Sequence, residues 1–368
     1  VLATTPERAV RKKSCKSQVM LPEGSYQATL TVTRAGAQAS TTVPIEVRNL
    51  LMVAMGDSYA SGEGNPRNSK NEGNGIYKSI DGGHSWKHLG LEESRAIHRL
   101  ILHPTDPDVA YAGVQGPAWG ESEQRGVYKT TDGGDTWERV LYVDEKTGIG
   151  DLVMDPVNPD KLIANMWQFR RWPWFMRSGG ESSGLYVTFD GGENWTMRTS
   201  EDGMPEGDLG RMGLAIAPSD PSVVYALVEA TENEWLRSTD GGFTFETVNS
   251  GNAVTNRPFY YNDIFVDPVN EHRVYWLSSS VRVTNDGGRT FEPIPPRGTP
   301  GGGIHPDHHA WWIHPDDPSY IIEGNDGGLN ISHDRGKTWR FIENIPVAQF
   351  YHISRSEEHT SELQSPDH

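Results

Sequence analysis

The sequence predicts an all-β protein whose main part is a β-propeller of about six four-stranded blades. An eight-residue motif, Ser/Thr-x-Asp followed by a glycine-bearing turn and an aromatic residue, occurs at Ser79–Trp86, Thr130–Trp137, Thr188–Trp195, Ser238–Phe245, Thr284–Phe291 and Ser332–Trp339. Its aspartates, Asp81, Asp132, Asp190, Asp240, Asp286 and Asp334, are 51, 58, 50, 46 and 48 residues apart. That period suits one four-stranded sheet per copy. A second repeat runs out of phase with the first, as a Pro-x-Asp/Asn turn at His103–Pro107, Asp155–Pro159, Ala217–Pro221, Asp267–Glu271 and His314–Pro318.

Each element has a local reason. In the first motif, here called an Asp box, the aspartate accepts hydrogen bonds from nearby backbone N–H groups. The glycines take up positive φ, and the terminal aromatic packs between neighbouring sheets. The second motif joins two apolar runs, as Leu214–Ile216 and Val223–Tyr225 flank Ala217–Pro221. Strand, turn, strand and Asp-box hairpin together supply four strands. The boxes are therefore scaffold.

Composition agrees with a turn-rich, all-β chain: 368 residues carry 40 Gly, 24 Pro and 12 Trp. The net charge is −17, yet the first 50 residues hold seven basic and three acidic side chains, so the remainder carries −21. The asymmetry marks two unlike parts, and the acidic part would repel a phosphate backbone, which argues against nucleic acid as a partner. Cys15 is the single cysteine, so no intrachain disulfide forms. No apolar run reaches the 18 or so residues that a membrane-spanning helix needs.

The N-terminal part reads differently. Residues 1–49 end in alternating apolar and polar residues around a turn at Gly36, the pattern of a β-sandwich hairpin. Leu50–Met55 is a buried-strand run leading into Gly56-Asp-Ser58-Tyr-Ala-Ser-Gly62-Glu-Gly64. This block, residues 50–66, resembles the opening block of the SGNH (GDSL) esterases and lipases. The resemblance implies Ser58 as nucleophile, with its own N–H as an oxyanion donor. A serine nucleophile also needs a base and a group to orient it. The later Gly, Asn and Asp-x-x-His blocks of that family have no match after Ser58, so the expectation is an incomplete, inactive esterase start. At the far end, Arg355–Ser365 resembles a translated sequencing adapter, and residues 355–368 are expected to be a disordered, artefactual tail. The chain is accordingly expected to be a chimera, with the ring incomplete where the strand at Phe350 breaks off.

Residues 64–354 resemble the bacterial BNR-repeat proteins, often labelled glycosyl hydrolase and related to VPS10/sortilin propellers. The resemblance rests on Trp119-Gly, Arg125–Thr130, Trp167–Arg171, Arg177–Gly180, Leu209–Arg211, Arg257–Tyr261, His305–His309 and Gly324–Gly328. It implies an extracellular or periplasmic parent protein and a peptide or carbohydrate ligand, with no cofactor.

Function is expected in the residues that a blade does not need. Arg170, Arg171, Arg211 and Arg257 interleave with Trp119, Tyr260 and Tyr261, a composition suited to a carboxylate-bearing peptide or a sugar. The plainer alternative for these arginines is packing and ion pairing between blades. His305, Asp307 and His308 follow a Gly-rich loop. Strand alternation sends His308 and His309 to opposite faces, and no metal motif is matched, so no metal is assigned. Asp326, in a box-like turn, pairs with Asp307 as candidate acids for glycoside hydrolysis. The principal expectation is a binding or scaffold module, with glycoside hydrolase as the alternative.

Overall fold

The computed structural model describes residues 24–34, 37–47, 51–55, 75–81, 83–251, 254, 257–295 and 303–344. Ser58 with its Gly-rich block, the strand at Phe350 and the adapter-like tail lie outside the described residues. The chain divides into two compact units, Val1–Leu152 with Gln168–Arg177 and Asp190–Trp195, and Val153–Trp167 with Ser178–Phe189 and Thr196–His368.

Five antiparallel sheets follow one another as blades, each built from strands consecutive in sequence. The first comprises Ile97–Leu102, Ala110–Val114, Gly126–Thr130 and Glu138–Leu141. The second comprises Thr147–Met154, Leu162–Trp172, Gly184–Thr188 and Thr196–Arg198, with Phe175–Ser178 added to the far end of Leu162–Trp172. Met212–Ile216, Val224–Val228, Glu234–Ser238 and Glu246–Ser250 form the third, and Ile264–Asp267, Asn270–Trp276, Val281–Thr284 and Glu292–Ile294 the fourth. The fifth is His308–Ile313, Ile321–Asn325, Gly328–Ser332 and Arg340–Phe341.

Among the described residues the four-stranded blades number five where about six were expected, because the box at Asp81 sits on a three-stranded sheet of Leu51–Met55, Gly75–Ser79 and Lys87–His88. In each of the five blades a Pro-x-Asp/Asn turn, at His103–Pro107, Asp155–Pro159, Ala217–Pro221, Asp267–Glu271 and His314–Pro318, joins the first two strands. Leu51–Met55, expected to open the esterase-like block, pairs antiparallel with Gly75–Ser79, from Leu51 opposite Ser79 to Met55 opposite Gly75. Gly24–Arg34 and Ala37–Val47 form a separate two-stranded hairpin.

The box chemistry repeats with little variation. At Asp132, Oδ1 accepts from the Thr136 N–H at 2.9 Å, Oδ2 from the Thr136 hydroxyl at 2.6 Å, and the Thr130 hydroxyl donates to Oδ1 at 2.8 Å. Gly133 and Gly134 have φ of +71° and +95°, the left-handed region that an L side chain resists. The closing aromatics knit the layers: Phe245 packs with Ile163 and Val187, and Trp339 meets Trp311 edge-on at 5.5 Å.

These bonds make the fold acid-sensitive. Donation by the Ser85 and Thr136 hydroxyls, then by their N–H groups, lowers Asp81 and Asp132 from the ordinary 3.8 to about 2. For Asp240 and Asp286 burial pulls upward, and donation by Thr244 and Thr290 outweighs it, again giving about 2. A carboxyl whose folded pKa lies below its unfolded pKa stabilises the fold above the unfolded value, and the contribution disappears as pH falls through the folded one. Thermal unfolding followed by circular dichroism should therefore show a melting temperature falling steeply between pH 4 and pH 2; a flat profile there would contradict the assignment.

Candidate functional site

In the second unit the loop Arg257–Tyr261 precedes the fourth blade, and the segment from His305 to His309 leads into the fifth. The loop turns tightly, with the N–H groups of Tyr260 and Tyr261 both donating to the Arg257 carbonyl at 2.9 Å. Its cation lies over its own rings, 5.3 Å from the Tyr260 centroid and 5.8 Å from that of Tyr261. Tyr260 and Tyr261 meet at 4.6 Å and 80°, and the His309 ring packs on both, at 5.9 Å and 5.7 Å.

Two carboxylates adjoin this cluster in unlike surroundings. Asp307 adopts φ +65°, a left-handed conformation that Asp tolerates better than most side chains. It accepts a hydrogen bond from the Tyr261 hydroxyl; burial first and this carboxylate second push the phenol well above its usual pKa, so Tyr261 stays a donor. Asp326 is half exposed, and its Oδ1 pairs with His309 Nε2 at 2.9 Å. The Asp326 N–H donates to the Asp307 carbonyl at 3.1 Å, which ties the two turns together. His305 lies against Gly327, where a Cβ would sit 2.7 Å from the histidine Cβ and Cγ.

Alternation does separate the two histidines. His308 is 2% exposed and its Nδ1 bonds Glu323 Oε1, whereas His309 faces outward. Glu323 is fully buried and also accepts from Asn325 Nδ2 and Asn330 Nδ2, each at 2.9 Å. His308 therefore belongs to the support behind the site. Arg211, chosen as a ligand-binding candidate, has the same place: 6% exposed, it donates Nη1–H to the Tyr260 carbonyl at 2.9 Å and lies 3.6 Å from Asp263. Glu229 accepts the Arg211 N–H at 2.9 Å and the Ser178 hydroxyl at 2.6 Å, and burial raises its pKa.

The structure thus brings together Arg257, Tyr260, Tyr261, His305, Asp307 and Asp326. His309 joins them, and Glu323 underlies them; neither is among the ligand-binding or catalytic residues expected from sequence. The signal for Glu323 is a charge at the inward position two residues after Ile321, itself fully buried. Trp119, Arg170 and Arg171 belong to the first unit, where Arg170 Nη1 approaches Glu121 at 3.5 Å. Among the described residues no group of three or more His, Cys, Asp or Glu side chains is arranged to hold a metal ion, and no helix is long and apolar enough to cross a membrane.

A family model described as "Sortilin, neurotensin receptor 3," matches residues 74–203. The xyloglucanase of Acetivibrio thermocellus is 24% identical over 274 residues, 66% of this chain and 30% of the enzyme. That of Hypocrea jecorina is 23% identical over 314 residues, 73% of this chain and 35% of the enzyme. The chain spans about a third of the length of the curated relatives it matches. Among solved structures, an ancestral GH74 enzyme superposes with a TM-score of 0.51 at 16% identity, covering 70% of this chain and 33% of that one. These likenesses agree with the propeller of Asp-box blades, and the chain resembles BNR-repeat propellers of glycosyl hydrolase type.

Proposed function

We propose that the second unit acts on a polysaccharide as a glycoside hydrolase, with Asp307 and Asp326 as its two acids. The observation that carries the reading is the pairing of two neighbouring carboxyl groups in different environments. Such pairs divide the roles of proton donor and of base or nucleophile. Asp307, which receives the Tyr261 hydrogen bond, activates water or attacks the anomeric carbon. Asp326, bonded to an exposed imidazole that resupplies its proton, protonates the departing oxygen. Tyr260, Arg257 and His309 supply a rim of rings and a cation that fit sugar C–H faces and hydroxyls. The xyloglucanase relatives support a β-glucan with side branches as the first substrate to try.

On tamarind xyloglucan, Asp326→Asn should lower kcat by about a thousandfold, the scale of one general acid or base, with a similar loss for Asp307→Asn. Reducing-sugar release measures both. A second reading, a glycan-binding module without turnover, is favoured by the Arg257 cation lying over its own rings, an arrangement that needs no reaction to be useful. It stands instead if the unaltered chain releases no reducing ends from any β-glucan offered and still binds one.

A further inference from the structure

One strand of the second blade outruns its counterparts in the other blades. Leu162–Trp172 has 11 residues, while the corresponding strands Ala110–Val114, Val224–Val228 and Ile321–Asn325 have five each and Asn270–Trp276 has seven. Its pairing with Gly184–Thr188 ends at Met166, and it also pairs with Phe175–Ser178 to form a hairpin that no other blade carries among the described residues. The tip of this hairpin is aromatic. Trp174 is 82% exposed and Phe175 56%, and the Trp172 ring lies 5.7 Å from that of Phe175 at 33°.

This exposure is built in. The Arg171 N–H donates to the Ala118 carbonyl at 2.7 Å, which anchors the hairpin beside the loop bearing Trp119, itself 40% exposed. That loop is held from within by Arg125, fully buried, whose guanidinium donates to the carbonyls of Gln115, Pro117 and Gly120. Burial lowers the Arg125 pKa only to about 10, so the clamp stays charged at neutral pH. A preorganised set of exposed rings marks a recognition surface. Its polar fringe identifies the ligand: Arg170 lies 4.9 Å over Trp172 and 3.5 Å from Glu121, so cation and carboxylate offset each other. Flat rings flanked by a neutralised ion pair suit an uncharged ligand with alternating C–H faces and hydroxyls.

We infer that the Trp172–Phe175 hairpin, with Trp119, Arg170 and Glu121, is a second glycan-binding site that takes a neutral, equatorially linked polysaccharide. It needs no hydrolysis, and its test is separable from that of Asp307 and Asp326. In native gels containing tamarind xyloglucan, the full chain should be retarded, and its Asp326→Asn variant equally so. The double variant Trp174→Ala/Phe175→Ala should bind about tenfold more weakly, the loss expected for removing two stacking rings. Trp174→Phe should largely restore retardation, and all variants should share one melting temperature, since the tip packs on little. Polygalacturonate should retard none of them. The inference is overturned if the unaltered chain is not retarded, if the double variant runs like it, or if the carboxylated polymer is held as strongly. Retardation without hydrolysis would remove the proposed reaction and leave this site intact.

Discussion

Gly213→Ala is expected to destabilise the chain by about 3 kcal/mol or more, at the upper end of what overpacking costs. Gly213 lies in the first strand of the third blade, and a Cβ there would fall 1.5 Å from the Asn262 carbonyl oxygen. Backbone has to move, and Asn262 is poorly placed to yield. Its amide Nδ2 donates to the carbonyls of Arg211 at 2.9 Å and Leu227 at 2.8 Å, and the residue is fully buried. Arg211 in turn holds the Tyr260 carbonyl. Displacing Asn262 therefore disturbs the loop bearing Arg257, Tyr260 and Tyr261 as well as the core. Urea unfolding should show a midpoint well below that of the parent, and xyloglucan turnover should decline even at temperatures where the variant stays folded. An unchanged midpoint would mean that strand and loop separate more freely than their hydrogen bonds indicate.

Glu323→Ala should be of similar severity, about 3–5 kcal/mol, because deleting one member of a buried polar network strands the others. His308, Asn325 and Asn330 all bond this carboxylate, and His308 and Asn330 are buried with it. The melting temperature should fall by roughly 10 °C, given about 2–4 °C per kcal/mol for a domain of this size. Glu323→Gln keeps shape and one acceptor and should cost less than half as much. Equal losses in the two variants would show that charge, and not the number of bonds, is what the network requires.

Much of the architecture is legible in two short repeats. The Asp boxes mark the hairpins, and five Pro-x-Asp/Asn turns each join the first two strands of a four-stranded blade. Less legible is any property that depends on a partner from another blade. Arg211 and Arg257 are alike in sequence, yet Asp263 and the Tyr260 carbonyl bury the first while the second stays on the surface. Leu51–Met55 is apolar enough to serve as a strand anywhere, and composition does not name Gly75–Ser79 as its neighbour. His308 and His309 face oppositely as alternation predicts, although a bulge between His308 and Ala310 interrupts the period and leaves His309 and Ala310 both exposed. The hairpin at Trp174 announces itself through a cluster of aromatic and cationic residues, although its exposure follows from the length of one strand.

Because the strands of each blade pair with close neighbours in sequence, the hydrogen-bonded contacts have short loops to close. Low contact order of this kind favours rapid formation of single blades, with consolidation passing from each to its neighbour. Among the described residues, no ladder bond of one blade is made by a strand of another. An array organised in this way can gain or lose a unit at an end while every remaining ladder keeps its register, so the number of blades is open to evolutionary change in a way that the design of each blade is not.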